Sequence, residues 1–366
     1  MNKSSPMIYL DYQATTPLAP EARDAMLRWL DGSGGEGFGN PHSPHRMGRM
    51  AAAAVELARE EVAALLPPGG KVIFTSGATE AINLVLRGFA EPDERPAIAV
   101  SAIEHAAVLD TAKAVGHAEE WPVDEHGLLD PEHWLGSRPR LIAAMQVNNE
   151  IGVIQPMVEL HRRAKAMNAL LLVDAVQAAG KVEVASADFI ALSAHKLHGP
   201  KGIGALWVRD GLHLNATSTG GGQEGLRSGT LSPALCAGFG AAASLAKERI
   251  AADEAHVQSL FDRARELFAG WAWNGSVEAR WPGNINIRRD GLDVNRLMSD
   301  CRQVMFSAGS ACASGSGRTS HVLKAIGLSE PQAKSSIRLG FGRYTTLAEL
   351  DDAAGMINAA AEAQGA

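Results

Sequence analysis

What this sequence lacks narrows its chemistry before any motif is read. It has three cysteines, Cys236, Cys301 and Cys312, too far apart for paired zinc-type ligation, so neither a disulfide framework nor a structural metal is indicated. A reducing compartment, the cytoplasm, fits that usage. The N-terminus, MNKSSPMIYLDYQATTP, has neither the apolar stretch of a signal peptide nor an Arg-rich amphipathic segment, and no apolar run approaches the length of a membrane span. Long Lys/Arg runs are missing too, and the formal net charge is -7, which argues against nucleic acid or an anionic membrane as the main partner. There is no internal repeat. What remains is an ordinary globular composition, 46% hydrophobic and 20% charged, in a chain of 366 residues, long enough for one large and one small domain. Its expected partner is a small molecule.

The segment RMGRMAAAAVELAREEVAALL, from Arg46 to Leu66, predicts a helix that stops at Pro67-Pro68. The rhythm then changes to short apolar runs bounded by small or polar residues: KVIFTSGATE, AIAVSAIEH, LIAAMQVNNE, LLLVDAVQ, FIALSAHK and GALWV. Most are separated by helix-like stretches such as AAVLDTAKAVG and MVELHRRAKAMN, the pattern of buried strands in a mainly parallel α/β sheet. Polar residues cluster where the runs end, on the edge at which such sheets bind ligands. From about Ala251 a longer helix (EAHVQSLFDRARELFAGW), short strands (NINIRR, SSIRLGF) and a closing Ala-rich helix predict a smaller α+β unit.

Two strand ends carry an acid and an amine: Asp174 closes LLLVD, and His195-Lys196 follows FIALSA. They could form a buried ion pair. They also meet the needs of pyridoxal phosphate, which takes a lysine for covalent attachment and a carboxylate opposite its ring nitrogen. FTSGATEAINLVL then reads as a strand, a small-residue turn and a helix start, where backbone N–H groups at Gly77, Ala78 and Thr79 and the Thr79 hydroxyl could hold a phosphate. His105, at another strand-to-helix junction, is either a satisfied structural histidine or a residue that stacks on the cofactor ring and moves protons. Asn149 and Gln177 could reach the cofactor's ring oxygen or simply cap turns. Finally, SAGSACASGSG places Cys312 among residues too small to build a core, so it is either incidental or a reactive thiol on a pliable arm.

Taken in order, YLDYQATTP, FGNPHSPHRMG, FTSGATEAINL, EHAAVLD, VNNEIGVIQP, VDAVQAAGK, SAHKLHGPKGIGALWVR, GGGQEGLRSGT, GSACASGS and SSIRLGFGRYTT resemble the successive motifs of the cysteine desulfurases, over residues 8 to 348. That resemblance implies an α/β, fold-type I pyridoxal phosphate enzyme. Its large domain would span residues 13–250, and a smaller one, residues 1–12 and 251–366, would carry the Cys312 loop. It implies Lys196 as the Schiff-base lysine, Asp174 as partner of the ring nitrogen, His105 as the stacking acid/base, and Asn149 and Gln177 as contacts of the phenolic oxygen. Ala78, Thr79, Ser193 and His195 would surround the phosphate, and Thr230 would reach the phosphate of a second subunit in a homodimer. Arg338 would clamp the substrate carboxylate, with Asn40 assisting. Cys312 would take the sulfur of L-cysteine as a persulfide and pass it to a protein acceptor, an iron-sulfur scaffold or a thiolation protein.

Three positions depart from that family's pattern: Gln146 stands where a histidine is common, Val176 replaces a threonine, and Ala194 replaces a glycine before His195-Lys196. The resemblance implies that they tune the site without changing the reaction. The sequence ends at INAAAEAQGA, without the longer tail that many relatives use to dock a scaffold. A selenocysteine lyase or an aminotransferase of the same fold, or a binding protein that has kept the fold without turnover, are the competing readings. The last would be expected to lose Lys196 or Cys312, and both are present.

Overall fold

The computed structural model describes residues 7–90, 96–134, 136–309 and 319–365, so the Cys312 assignment lies outside the described residues. Seven strands form the principal sheet in the order Gly70–Thr75, Gly204–Arg209, Phe189–Ser193, Leu170–Asp174, Leu141–Met145, Ala97–Ser101, His117–Trp121. All run parallel except Gly204–Arg209, which is antiparallel to both neighbours. The central strands are buried along their whole length, as strands covered on both faces must be. All six strands expected from the apolar runs are present. His117–Trp121, sequence HAEEW, was not anticipated: it is an edge strand with exposed polar side chains, and edge strands carry charge where central ones cannot.

The helix Arg46–Ala63 ends before Leu66 because its last turn tightens, with Leu65 donating to the Val62 carbonyl and Leu66 to that of Ala63. It packs on the longest helix, Pro233–Leu267, which runs 35 residues from a Ser232 cap. The division expected near residue 250 falls inside this continuous helix. Beyond it, Ser307–Ala308, Ser336–Gly340, Asn284–Arg288 and Ala272–Trp273 form a four-stranded antiparallel sheet, and Ile8–Tyr9 pairs in parallel with Val304–Met305. An isolated bridge between Asp11 and Gly340 joins the same segment to the four-stranded sheet. The N-terminal segment thus lies between the small sheet and the principal sheet's ligand edge. No described helix is long and apolar enough to cross a membrane.

Candidate active site

Strands that end at Thr75, Ser101, Met145, Asp174 and Ser193 all point the same way, and the residues after them line one cavity of about 560 Å³. The parallel register forces this convergence, because side chains just past equivalent strand ends have nowhere else to go.

One wall is a helix start. Ser76-Gly77 turns the chain from Thr75 into the helix Ala78–Gly88. The Ser76 N–H is taken by Glu80 Oε2 (2.5 Å) and the Gly77 N–H by Thr75 Oγ1 (3.3 Å), while those of Ala78 and Thr79 belong to the first turn, which has no helical acceptors. A Cβ on Gly204 would lie 2.6 Å from Gly77 Cα, so only glycine lets that strand close against the turn. Ser193, His195, Lys201 and Gly202 line the cavity with it. The His195 ring, whose Nδ1 lies 3.1 Å from Thr15 Oγ1, is pushed down to about 4 by burial and by the nearby charges of Lys196, Lys201 and Lys181. It is therefore a neutral ring at pH 7.

Lys196 closes a short 3₁₀ turn, Ala194–Lys196, and donates from Nζ to the carbonyls of Gln13 (2.5 Å) and Ala14 (2.9 Å). Asp174 is 7% exposed, and its Oδ1 accepts from the Val176 N–H at 2.9 Å. Burial raises its carboxyl, while that hydrogen bond and the His105 and Lys196 charges pull it back toward ionisation. Behind it sits Glu104, fully buried, with Oε1 accepting from the Met145 N–H at 2.6 Å and Oε2 without a partner among the described residues. Burial and then the Asp174 charge push Glu104 well above the usual carboxylate range, so of the two it is the one favoured to keep a proton.

His105 is a satisfied histidine that also faces the cavity. Its Nδ1 accepts from the Ala107 N–H at 3.1 Å, capping the helix Ala106–Val115, and the ring lines the cavity. Because Nδ1 accepts, the neutral ring carries its proton on Nε2. Gln177 is buried: its Nε2 donates to the Gln13 carbonyl (3.0 Å) and its Oε1 accepts from Lys181 Nζ (2.8 Å).

Arg338 comes from the other sheet. The antiparallel register sets it opposite Asn286 and Ser307, and it is 1% exposed. Its guanidinium donates to Asp11 Oδ1 (2.7 Å), the Asn149 carbonyl (3.0 Å) and Ser307 Oγ (3.4 Å), while Nε is buried and has no partner among the described residues.

Of the residues expected from the sequence, Ala78, Thr79, His105, Asn149, Asp174, Gln177, Ser193, His195, Lys196 and Arg338 share this cavity. Asn40 and Thr230 are exposed and do not line it in their own chain; the Asn40 side chain accepts from the His42 N–H in a local turn. Val176 lines the cavity. Gln146 faces away from it, since strand alternation turns Met145 and Val147 inward, and Gln146 instead bridges the Glu183 carbonyl and the Ala185 N–H. Asp11, Gln13, Lys201 and Ser307 also line the cavity although no role was assigned to them. Asp11 and Gln13 stand in the YLDYQATTP motif, but only the bridge to Gly340 reveals what they face.

The family model of the class-V aminotransferases matches residues 8–352. Cysteine desulfurase IscS of Colwellia psychrerythraea is 40% identical over 379 residues, covering 96% of this chain and 92% of that protein. The mitochondrial cysteine desulfurase of Saccharomyces cerevisiae is 41% identical over 365 residues, covering 94% and 73%. Among solved structures, a NifS-like protein superposes with a TM-score of 0.88 at 31% identity, covering 96% of this chain and 98% of its own. SspA in complex with cysteine gives 0.81 at 31% identity, covering 93% and 100%. With Lys196, Asp174 and a phosphate-type helix start on one cavity, the chain belongs to the cysteine desulfurase family of pyridoxal phosphate-dependent class-V aminotransferases of fold-type I.

Proposed function

We propose that this protein removes sulfur from L-cysteine, releasing L-alanine and taking the sulfur onto Cys312. The observation that carries the reading is the convergence of Lys196, Asp174, the Ala78–Gly88 helix start and Arg338 on one cavity. The donor set suits pyridoxal phosphate: N–H groups and cations for the phosphate, Asp174 for the ring nitrogen, Lys196 for covalent attachment, and the Gln177 amide for the phenolic oxygen. The unpartnered Arg338 Nε suits a further anion beside it, the substrate carboxylate.

When bound, the cofactor supplies an electron sink that makes a substrate's α-proton acidic and loosens its carbon–sulfur bond. The chain's own residues do the rest. Arg338 orients the carboxylate, Lys196 Nζ carries the α-proton, and His105 Nε2 moves a proton at the ring face. His195, held neutral, donates a hydrogen bond without adding charge. Across the reaction the substrate C–S bond breaks and an S–S bond forms at Cys312 Sγ. L-cysteine and the Cys312 thiol become L-alanine and a Cys312 persulfide, with no external oxidant or reductant.

The exposed Thr230, outside its own chain's cavity, supports a homodimer in which each copy completes the other's phosphate shell, and the exposed apolar Leu27, Leu30 and Phe38 offer a surface for it. The segments 1–12 and 251–366 would act as a smaller unit bringing Arg338 and Cys312 to the cofactor domain, 13–250. A protein acceptor, an iron-sulfur scaffold or a thiolation protein, would take the sulfur, and a reducing compartment such as the cytoplasm would keep Cys312 a thiol between turnovers.

The test is mass spectrometry after exposure to L-cysteine. One added sulfur on the Cys312 peptide together with released alanine is the expected result. A keto acid in place of alanine would make the protein an aminotransferase.

A further inference from the structure

Lys181 is a basic residue beside the site that no step above uses. It follows the helical turn after Asp174, and it lines a small cavity of about 30 Å³ with Tyr12, Lys196, His198, Asp253 and Arg343. The carboxylate there is spoken for, since Asp253 pairs with Arg343 (2.6 Å) and Arg249 (3.2 Å). Among the described residues Lys181 has no ion pair, and the acceptor it meets is Gln177 Oε1 at 2.8 Å. Burial, and then the Lys196 charge, push the amine down to about 7. A cation is costly to place there, which asks what the position gains from it.

The answer lies in hydrogen-bond logic. In its ammonium form a lysine only donates, and that form fixes the oxygen of the Gln177 amide toward it, as the 2.8 Å contact has it. The nitrogen is thereby turned the other way, where one N–H meets the Gln13 carbonyl at 3.0 Å, the same carbonyl that accepts from Lys196 Nζ. Gln177 lines the main cavity, so its remaining N–H is the polar group it can offer a ligand there. Without Lys181 only the Gln13 carbonyl would oppose a half-turn of the amide, which would present its oxygen and repel an anionic phenolic oxygen.

We propose that Lys181 is a positioning residue that locks the Gln177 amide with its nitrogen toward the cofactor's phenolic oxygen and toward the carbonyl on which Lys196 rests. The inference deepens the functional reading above and rests on it.

The experiment compares wild type, Lys181→Met, Gln177→Ala and the double variant, each stripped of cofactor and titrated with pyridoxal phosphate. The dissociation constant and the pH midpoint of the bound cofactor's absorbance are recorded. Lys181→Met is expected to weaken binding about tenfold, as for one charge-assisted hydrogen bond lost, and to move the midpoint in the same direction as Gln177→Ala. The double variant should go no further than Gln177→Ala alone, because Lys181 acts through Gln177. A Lys181→Met protein with wild-type affinity and midpoint, or additive effects in the double variant, would overturn the proposal. If Lys181→Met does not fold, Lys181→Leu is measured against the same expectations. Wild-type protein that failed to take pyridoxal phosphate onto Lys196, read by borohydride reduction and peptide mapping, would instead overturn the functional reading, and this inference with it.

Discussion

Arg338 donates from Nη2 to Asp11 Oδ1 at 2.7 Å, joining a strand of the small sheet to the N-terminal segment at the mouth of the cofactor cavity. The Asp11 carboxylate holds Nη2 while the Asn149 carbonyl holds Nη1, and among the described residues Nε has no partner. A fork pinned at both prongs is a rigid receptor, and rigidity lowers the entropy cost of binding.

Changing either partner should therefore have different effects. Arg338→Lys loses the planar fork and should raise the KM for L-cysteine about tenfold or more, with a smaller change in kcat. Asp11→Ala leaves a buried guanidinium short of its counter-charge and should cost about 3 kcal/mol of stability, read by denaturant unfolding of the cofactor-loaded protein. Equal losses of kcat and kcat/KM with an unchanged KM in Arg338→Lys would remove Arg338 from substrate binding.

The three thiols should separate cleanly. Cys236 is fully buried and its thiol is pushed up to about 12, mainly by burial, and Cys301 is 2% exposed and also raised by burial. Neither presents appreciable thiolate at pH 7. Brief alkylation of the native protein should label Cys312 alone. Cys312→Ser should still bind pyridoxal phosphate while alanine release from L-cysteine falls at least about a hundredfold, roughly 2.7 kcal/mol of barrier. Persulfide found on Cys236 or Cys301 would contradict the assignment.

Complementation tests whether the site is shared between subunits. In a heterodimer of Thr230→Ala and Lys196→Ala chains, one cavity would hold an intact Lys196 and receive the other chain's intact Thr230, while the second cavity would lack both. Random mixing of the two weak variants should recover about a quarter of wild-type sites, since about half the dimers are mixed and each has one good site. If Thr230 served its own chain, mixing would recover nothing.

His198 offers a pH test away from the reaction. It holds a left-handed backbone conformation (φ 68°), its Nδ1 donates to the Pro17 carbonyl (2.9 Å), and its ring packs edge-on against Tyr12 and Tyr344. Burial, helped by the Arg343 charge, pushes it down to about 4. A base with a depressed folded pKa stabilises the fold above its unfolded value, about 6.5, and loses that contribution as pH falls toward 4. His198→Asn tolerates the same backbone and does not titrate. The wild-type advantage in melting temperature over this variant should shrink between pH 7 and pH 4.5; a gap that widened on acidification would contradict the burial effect.

Much of the site was legible because its chemistry is written in short, local strand-to-helix junctions. Thr75-Ser76-Gly77, Asp174 after LLLV and Lys196 after FIALSAH each announce a sheet edge through hydrophobic pattern alone. The strand His117–Trp121 did not, because an edge strand with one solvated face lacks the apolar run that marks a buried one. The helix Pro233–Leu267 hid its continuity for a related reason: its two halves face different surroundings, so no single apolar stripe runs its length.

The sequence by itself thus determined the α/β class, the strand-to-helix junctions that carry Asp174, His105 and Lys196, and the small-residue setting of Cys312. Only the tertiary structure decided which residues hold these groups in register. Asp11 reaches Arg338 across 327 positions, and Gln13 lends its carbonyl to Lys196 and Gln177 across 183 and 164. Such partners have no periodicity to betray them, because a backbone carbonyl looks the same in every residue and a lone aspartate is defined only by what packs against it. The orientation of the Gln177 amide belongs to the same class: it is set by the donor that folding brings to its oxygen.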